Sequence, residues 1–255
     1  MIQHKIINKA VTFIVNSIYP LACPICSRPT DKKLHIDFPT WQEYGDVCSD
    51  CTDKVKPIDE AQCMKCGKIL NDNDSEYCYD CKYIRHEYTQ CIAALPYEGQ
   101  IKQSIYRFKY KGCREYAWWY ANIIEKYCGE RIRIWSPDII IPVPMYHAKE
   151  KVRGYNQTEL IAQNLSKLLD VDMNAQLLFR IKKTAPMKKL HAIERIKNLE
   201  NAFLVKRKMI KYNKVLLLDD IYTTGATLDA CAKALKRQGV KEVYGVCLCI
   251  GRGFS

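Results

Sequence analysis

From residue 90 onward, short apolar runs alternate with stretches whose apolar residues recur every three or four positions. "CIAALPYEG" (91–99) reads as a strand closing in a turn. "PDIIIPVPM" (137–145) and "KVLLLDD" (214–220) read as strands apolar enough to be covered on both faces, and "VYGVCLCI" (243–250) as a closing strand. Between them, "IKQSIYRFKYKG" (101–112) predicts a basic helix stopped at Gly112, and "REYAWWYANIIEKYC" (114–128) a helix whose Trp118, Trp119 and Tyr120 pack as core. "NQTELIAQNLSKLLD" (156–170) and "ATLDACAKALKRQG" (226–239) predict two more amphipathic helices, the second ending at Gly239. Doubly buried strands alternating with helices predict an α/β fold over 89–255, a mainly parallel sheet with helices on both faces.

Upstream the periodicity changes. Residues 2–18 place Ile6, Ile7, Ala10, Phe13, Ile14 and Ile18 on one helical face, which predicts an N-terminal helix, within 1–22, docked on the next domain. The same stretch superficially resembles an export signal, with lysines, an apolar run and then Leu-Ala-Cys. Asn16 and Pro20 break that run, and Cys23 is half of a C-x-x-C pair, so the chain reads as cytoplasmic. No segment reaches the roughly 20 apolar residues needed to cross a bilayer.

Residues 23–88 have no sustained period but hold eight of the fourteen cysteines, in four C-x-x-C pairs: Cys23/Cys26, Cys48/Cys51, Cys63/Cys66 and Cys78/Cys81. Four thiolates delivered by two such knuckles suit tetrahedral Zn²⁺, and the spacing over 63–81 has zinc-ribbon proportions. A secreted disulfide scaffold would leave six further cysteines scattered through an enzyme-like domain, whereas a reducing compartment accommodates them. Two structural zinc ions are expected. Sequential pairing, 23/26 with 48/51 and 63/66 with 78/81, closes the shorter loops and is preferred over an interleaved arrangement. Gly67 suits a tight turn that turns backbone N–H groups toward thiolate sulfur.

Charge adds one distinction. The formal net charge is +12, but residues 1–88 carry 11 basic against 13 acidic side chains and residues 89–255 carry 29 against 15. A polyanionic partner or a phosphorylated substrate is implied, with a merely solvated cationic surface as the alternative. The cysteine module is net negative before its thiolates are counted, so a structural or docking role is favoured there over unaided nucleic-acid contact.

The chemistry concentrates in "VLLLDDIYTTGATL" (215–228), a buried strand ending in two adjacent acids, then a small-residue loop opening a helix. In open parallel sheets ligands bind at the carboxyl ends of strands. Asp219 and Asp220 fall there, while Thr223, Thr224, Gly225, Ala226 and Thr227 can wrap amides and hydroxyls around a phosphate at the helix N-terminus. Carboxylates for vicinal hydroxyls beside a phosphate nest describe a sugar phosphate. Neither a Walker loop nor a dinucleotide-binding fingerprint occurs.

This stretch closely resembles the phosphoribosyl pyrophosphate (PRPP) motif of type I phosphoribosyltransferases. With "YEGQIKQSIYRFKYKG" (97–112), "IPVPMYHAKEKVRGYNQTELIAQNL" (141–165) and "RIKKTAPMKKLHAIERIKNLENAF" (180–203), the chain resembles the ComF family, PRPP-motif proteins associated with DNA uptake in natural transformation. Members carry a cysteine zinc module ahead of the phosphoribosyltransferase domain, so the resemblance spans nearly the whole chain. It implies that Asp219 and Asp220 hold the ribose hydroxyls, Thr223 to Thr227 the 5-phosphate, and that Lys149, Lys151 and Arg153, in the loop after strand 137–145, face the pyrophosphate. Residues 180–203 would cover the site, with seven basic side chains between Arg180 and Lys197. Met187 follows Pro186 where the family usually has Gln, a departure by which a polar contact of this cover is missing or replaced.

The implied reaction displaces pyrophosphate from the anomeric carbon, with Mg²⁺ on pyrophosphate and ribose oxygens. Lys149, Lys151 and Arg153 would stabilise the leaving group, while Asp219 and Asp220 orient the ribose and the metal. No general base and no acceptor are legible. Two functions stand: a PRPP-binding factor of DNA uptake that handles single-stranded DNA with other uptake proteins, and a phosphoribosyltransferase of nucleotide metabolism or salvage. Asn156 reads equally as a ligand contact or, with Glu159, as a capping box. Lys109 and Tyr110 read as solvated or as nucleic-acid contacts, and no histidine has ligand spacing.

Overall fold

The computed structural model describes residues 22–30, 47–70, 75–182, 201–206 and 211–251, together with Leu199. The expected N-terminal helix and most of the expected cover, including Pro186 and Met187, lie outside the described residues.

Four strands form one parallel sheet: β1 (Gln90–Pro96), β2 (Ile139–Pro142), β5 (Lys214–Tyr222) and β6 (Glu242–Ile250), in the order β1-β6-β5-β2. β5 and β6 are central, which is why Val215 to Leu218 and Val243 to Ile250 are all buried. A strand flanked on both edges and both faces has no polar side to offer, and its sequence is a continuous apolar run. Ile140 also bridges to Met173 in parallel, extending the β2 edge.

The period of two in the strands divides the interior into two cores. Ile140, Leu216, Leu218, Val246 and Leu248 face helices α3 (Gly99–Tyr110), α4 (Tyr116–Trp135) and α6 (Gln157–Leu169). Ile139, Ile141, Val215, Leu217 and Cys247 face α7 (Ala226–Lys236) and a two-stranded antiparallel ribbon of β3 (Leu178–Arg180) and β4 (Phe203–Val205). The expected α/β fold, a parallel sheet with helices on both faces, is the one observed.

Local departures have local causes. α4 runs to Trp135, past the expected end at 128, because Cys128, Ile132 and Trp135 continue its buried stripe through Gly129. Ser136, left-handed at φ 50°, then stops it ahead of Pro137. The expected loop carrying Lys149, Lys151 and Arg153 is instead a short helix, α5 (His147–Arg153), closed by left-handed Gly154. Asn156 sits at the N-cap position of α6 without capping it, so the capping-box reading fails: its carboxamide accepts from the Thr158 hydroxyl at 2.8 Å instead. Trp119 and Tyr120 are core, as expected.

The cysteine module is a duplicated unit. In each copy a knuckle closes with the same bonds: Cys23 N–H to the Arg28 carbonyl and Cys63 N–H to the Lys68 carbonyl, both 2.8 Å, and Ser27 N–H to the Cys23 carbonyl and Gly67 N–H to the Cys63 carbonyl, both 2.9 Å. The second knuckle of each copy opens a short helix, α1 (Ser49–Thr52) after Cys48 and α2 (Tyr79–Tyr83) after Cys78. Arg28–Asp50 at 2.7 Å and Lys68–Asp80 at 2.5 Å are equivalent ion pairs. The turn residue is left-handed in both, Ser27 at φ 63° and Gly67 at φ 74°. Only the second requires glycine for space, since a Cβ at Gly67 would lie 3.2 Å from the Cys91 carbonyl oxygen and the Ile92 Cα of β1.

The two copies straddle the sheet. Cys23, Ile25, Val47 and Cys51 belong to the core under α3 and α4, whereas Cys63, Cys66 and Tyr88 belong to the core under α7. Cys66 is fully buried, and its replacement removes a ligand from inside that second core. Cys66→Ser is expected to lower bound zinc from two ions to one and to reduce unfolding free energy by more than about 4 kcal/mol, the range associated with losing a metal. Metal analysis with urea denaturation checks this, and two retained zinc ions at wild-type stability would refute it.

Candidate functional site

β5 carries the two acids to the carboxyl end of the sheet, where they line a crevice of about 330 Å³. Asp219 accepts from the Asp220 backbone N–H at 2.8 Å through its own carboxylate. Burial first, and the neighbouring Asp220 charge second, push the Asp219 carboxyl up to about 7. Asp220 has a cation of its own: the Lys109 ammonium lies 2.5 Å from its carboxylate. Burial works against that ammonium, but Asp220, ion-paired and hydrogen-bonded to it, outweighs burial and the Lys109 pKa ends above its ordinary value.

Past the acids the chain turns through Thr223 and Thr224 to Gly225, the left-handed N-cap of α7 at φ 76°. A Cβ there would lie 2.5 Å from the Tyr222 hydroxyl oxygen, so the loop rests directly on that ring. Thr223, Thr224, Gly225, Ala226 and Thr227 all line the crevice at the N-terminus of an 11-residue helix. That is a geometry in which backbone amides and the helix dipole favour an anion.

The opposite wall comes from α5 and the start of α6. Lys149 and Arg153, one turn apart, both line the crevice. Lys151 does not; it lies between them in the helix and is exposed, which corrects its expected place beside them. Arg153 is held in position, donating to the Gln157 carboxamide oxygen at 2.5 Å with its guanidinium over the Tyr110 ring at 5.0 Å. Arg180 enters the crevice from β3, its guanidinium 5.6 Å from the Phe203 ring.

Nine of the ten residues expected from sequence at the sugar-phosphate site therefore line one crevice, and Lys151 is the exception. The reading missed Lys109, offered only as a solvated or nucleic-acid-facing residue. A signal was present: Ile101, Ile105 and Lys109 follow each other at i, i+4 and i+8, so Lys109 extends a buried stripe of α3. A lysine on such a stripe is buried with a partner or not at all.

The cysteine quartets are equally well defined. The Sγ atoms of Cys23, Cys26, Cys48 and Cys51 lie within 4.8 Å of one another, as do those of Cys63, Cys66, Cys78 and Cys81. Sequential pairing is thus the arrangement found. Cys26 and Cys48 sulfurs are 3.7 Å apart and Cys66 and Cys78 sulfurs 3.6 Å, close to the roughly 3.8 Å edge of a tetrahedron with Zn–S bonds of about 2.3 Å. Backbone N–H groups of Ile25 and Cys48 point at the Cys23 sulfur from 3.4 and 3.5 Å, as donors to a thiolate do. Arg28, hydrogen-bonded to Cys26, draws that thiol down to about 6 and favours the metal-binding form near neutrality. Both quartets fit structural zinc.

Comparison with known proteins agrees with both halves. Residues 14–82 match the double zinc ribbon domain and residues 159–253 the phosphoribosyl transferase domain. Competence protein F of Haemophilus influenzae is 31% identical over 206 residues, covering 77% of this chain and 87% of that protein. Competence protein ComFC of Bacillus subtilis is 27% identical over 240 residues, covering 87% and 91%. The DNA utilization protein YhgH of Escherichia coli is 26% identical over 206 residues, covering 80% and 89%. With two tetracysteine sites flanking a parallel sheet that ends in the Asp-Asp and Thr-Thr-Gly crevice, the chain belongs to the ComF family of competence proteins, a double zinc ribbon joined to a phosphoribosyltransferase domain.

Proposed function

We propose that the crevice binds PRPP and that the protein uses it while handling single-stranded DNA during DNA uptake. The observation that carries the first part is the facing of an anion-favouring loop and two cations across one pair of carboxylates. Thr223 to Thr227 take the 5-phosphate, Asp219 and Asp220 accept from the ribose hydroxyls, and Lys149 and Arg153 lie against the pyrophosphate. Lys109, already paired with Asp220, holds that carboxylate in place in the crevice. PRPP arrives as its magnesium complex, the hard cation supplying charge neutralisation on the phosphate oxygens. The chain's own groups bind and orient: fixed cations meet the charge that grows on departing pyrophosphate, which is where preorganised electrostatics lower a barrier. A phosphoribosyltransferase of nucleotide salvage is the second reading, favoured by the same loop.

The DNA-handling part is supported by the names of the relatives and by a second concave surface. A groove of about 850 Å³ lies where α2 and the strand-entry segment meet α7, lined by Lys65, Lys82, Arg85 and Lys236 with one acid, Glu87. Tyr77 and Tyr83 stand on it, 41% and 75% exposed. Cations along a groove with accessible aromatic rings suit a single strand, whose phosphates and unstacked bases they meet respectively. The net negative charge of the cysteine module is therefore not the charge of this face.

Three outcomes test the proposal. Asp219→Asn combined with Asp220→Asn is expected to abolish PRPP binding by calorimetry with zinc content unchanged, and retained affinity refutes the assignment. Arg85→Ala with Lys236→Ala should weaken single-stranded DNA binding and flatten the plot of log affinity against log salt by roughly 1.4, two phosphate contacts' worth; an unchanged slope removes the groove from the interface. The third concerns Asp219, whose carboxyl is raised on folding. The folded state then holds a proton that the unfolded chain has released, so stability is greatest below pH 4 to 5 on this account and falls as pH rises through about 7. Asp219→Asn should remove this component, about 1–3 kcal/mol between pH 5 and pH 8 by urea denaturation; the same pH slope in variant and wild type contradicts the raised carboxyl.

A further inference from the structure

The first knuckle of each ribbon is hydrogen-bonded to the sheet domain from the middle of its turn, and the two attachments lead to opposite walls of the crevice. In the first ribbon, the carbonyls of Pro24 and Ile25, between Cys23 and Cys26, both accept from the Arg107 guanidinium at 2.8 Å. Arg107 lies two residues before Lys109 on α3, so this bond fixes the last turn of the helix that presents the ammonium to Asp220. In the second ribbon, Lys65, between Cys63 and Cys66, donates to the carbonyls of Tyr88 and Thr89 at 2.7 and 2.9 Å, while its own carbonyl accepts from Cys91 N–H at 2.8 Å.

Tyr88 passes that attachment on. Its hydroxyl meets the Tyr222 hydroxyl at 2.8 Å, and Tyr222 is the ring on which Gly225 rests. Two residues before it, His86, stacked on Tyr88 with ring centroids 4.7 Å apart, pairs with Asp229 at 2.7 Å. Asp229 also accepts from Glu87 N–H at 2.7 Å, and its own N–H bonds the Gly225 carbonyl at 2.8 Å. Asp229 is in the first turn of α7, so the segment leaving the second quartet grips the phosphate loop from below and the helix from its side.

We infer that the two ribbons brace the crevice, the first holding the Lys109 wall through Arg107 and the second holding the phosphate loop through Tyr88, Tyr222 and the His86–Asp229 pair. Tyr88 and Arg107 are then positioning residues: neither lines the crevice, and each acts through a residue that does. This rests on the PRPP reading for its functional consequence but not for its structural one, because the bracing exists without ligand. Loop amides fixed before binding cost less ordering when a phosphate arrives, and a loosened loop forfeits that advantage.

The test is amide hydrogen exchange on the full-length, zinc-loaded protein without ligand, followed by PRPP calorimetry. Tyr88→Phe removes one hydroxyl and keeps the ring; it is expected to speed exchange in 223–229 by about three- to tenfold, leave 105–110 unchanged and keep both zinc ions. Tyr222→Phe should do the same, and the double variant no more than either single one, because both delete one bond. Arg107→Gln is expected to show the reverse selectivity, faster exchange in 105–110 and none in 223–229. PRPP affinity should fall in each by a similar factor. Unchanged exchange in 223–229 for both tyrosine variants, or equal acceleration throughout the chain, overturns the brace. If wild type binds no PRPP while the exchange pattern holds, the substrate reading fails and the brace stands.

Discussion

Two adjacent carboxylates at the end of a doubly buried strand are a charge problem, and the surrounding structure is arranged around its solution. Asp220 is met by Lys109 at 2.5 Å, while Asp219 is left raised to about 7 by burial and by its neighbour. One acid is ion-paired and the other is poised to change, as expected when like charges share a low-dielectric site. The compensation depends on α3 arriving at the right end of the sheet. Buried Ile101, Ile105 and Phe108 seat that helix, and Tyr155 donates its hydroxyl to the Phe108 carbonyl near its end.

The same constraint gives the cysteine module a place in the fold. A parallel sheet with both faces covered has no spare face, so the small module divides, one zinc-ribbon unit joining each core. The duplicated hydrogen bonds of the two knuckles give two copies of one local structure, and the difference between Ser27 and Gly67 follows from their neighbours. The second turn lies against the backbone of β1 and has no space for a side chain, while at the first a serine is tolerated in the left-handed region. The module's energy comes mainly from thiolate–metal bonds, and its orientation comes from packing onto the sheet.

Much of the fold was legible. The four sheet strands and the helices over 99–110, 116–135, 157–169 and 226–236 follow from period and from apolar run length, with errors confined to ends such as Trp135, where a mid-helix glycine conceals a continuing stripe. The short elements were not legible: α5 has only seven residues, and β3 and β4 have three each, too few for a period to register. At the site, Asp219, Asp220 and the loop to Thr227 were readable because they are contiguous. Lys151 was misplaced because a loop reading carries no information about facing, whereas a helix puts Lys149 and Arg153 on one side and Lys151 on another.

The amino-acid sequence by itself determined whatever short spacing encodes: strand burial, the thiolate quartets, and the acids beside a small-residue turn that opens a helix. These are consequences of backbone periodicity and ligand geometry over a few residues. Only the tertiary structure decided which distant groups meet. His86 finds Asp229 across 143 positions and Tyr88 finds Tyr222 across 134, and no local pattern marks those partners. Their meeting follows from packing on one face of the sheet, where Tyr88, Tyr222, Ala226 and Leu228 share a single core, and not from strand pairing, which sets the start of β1 level with Leu216.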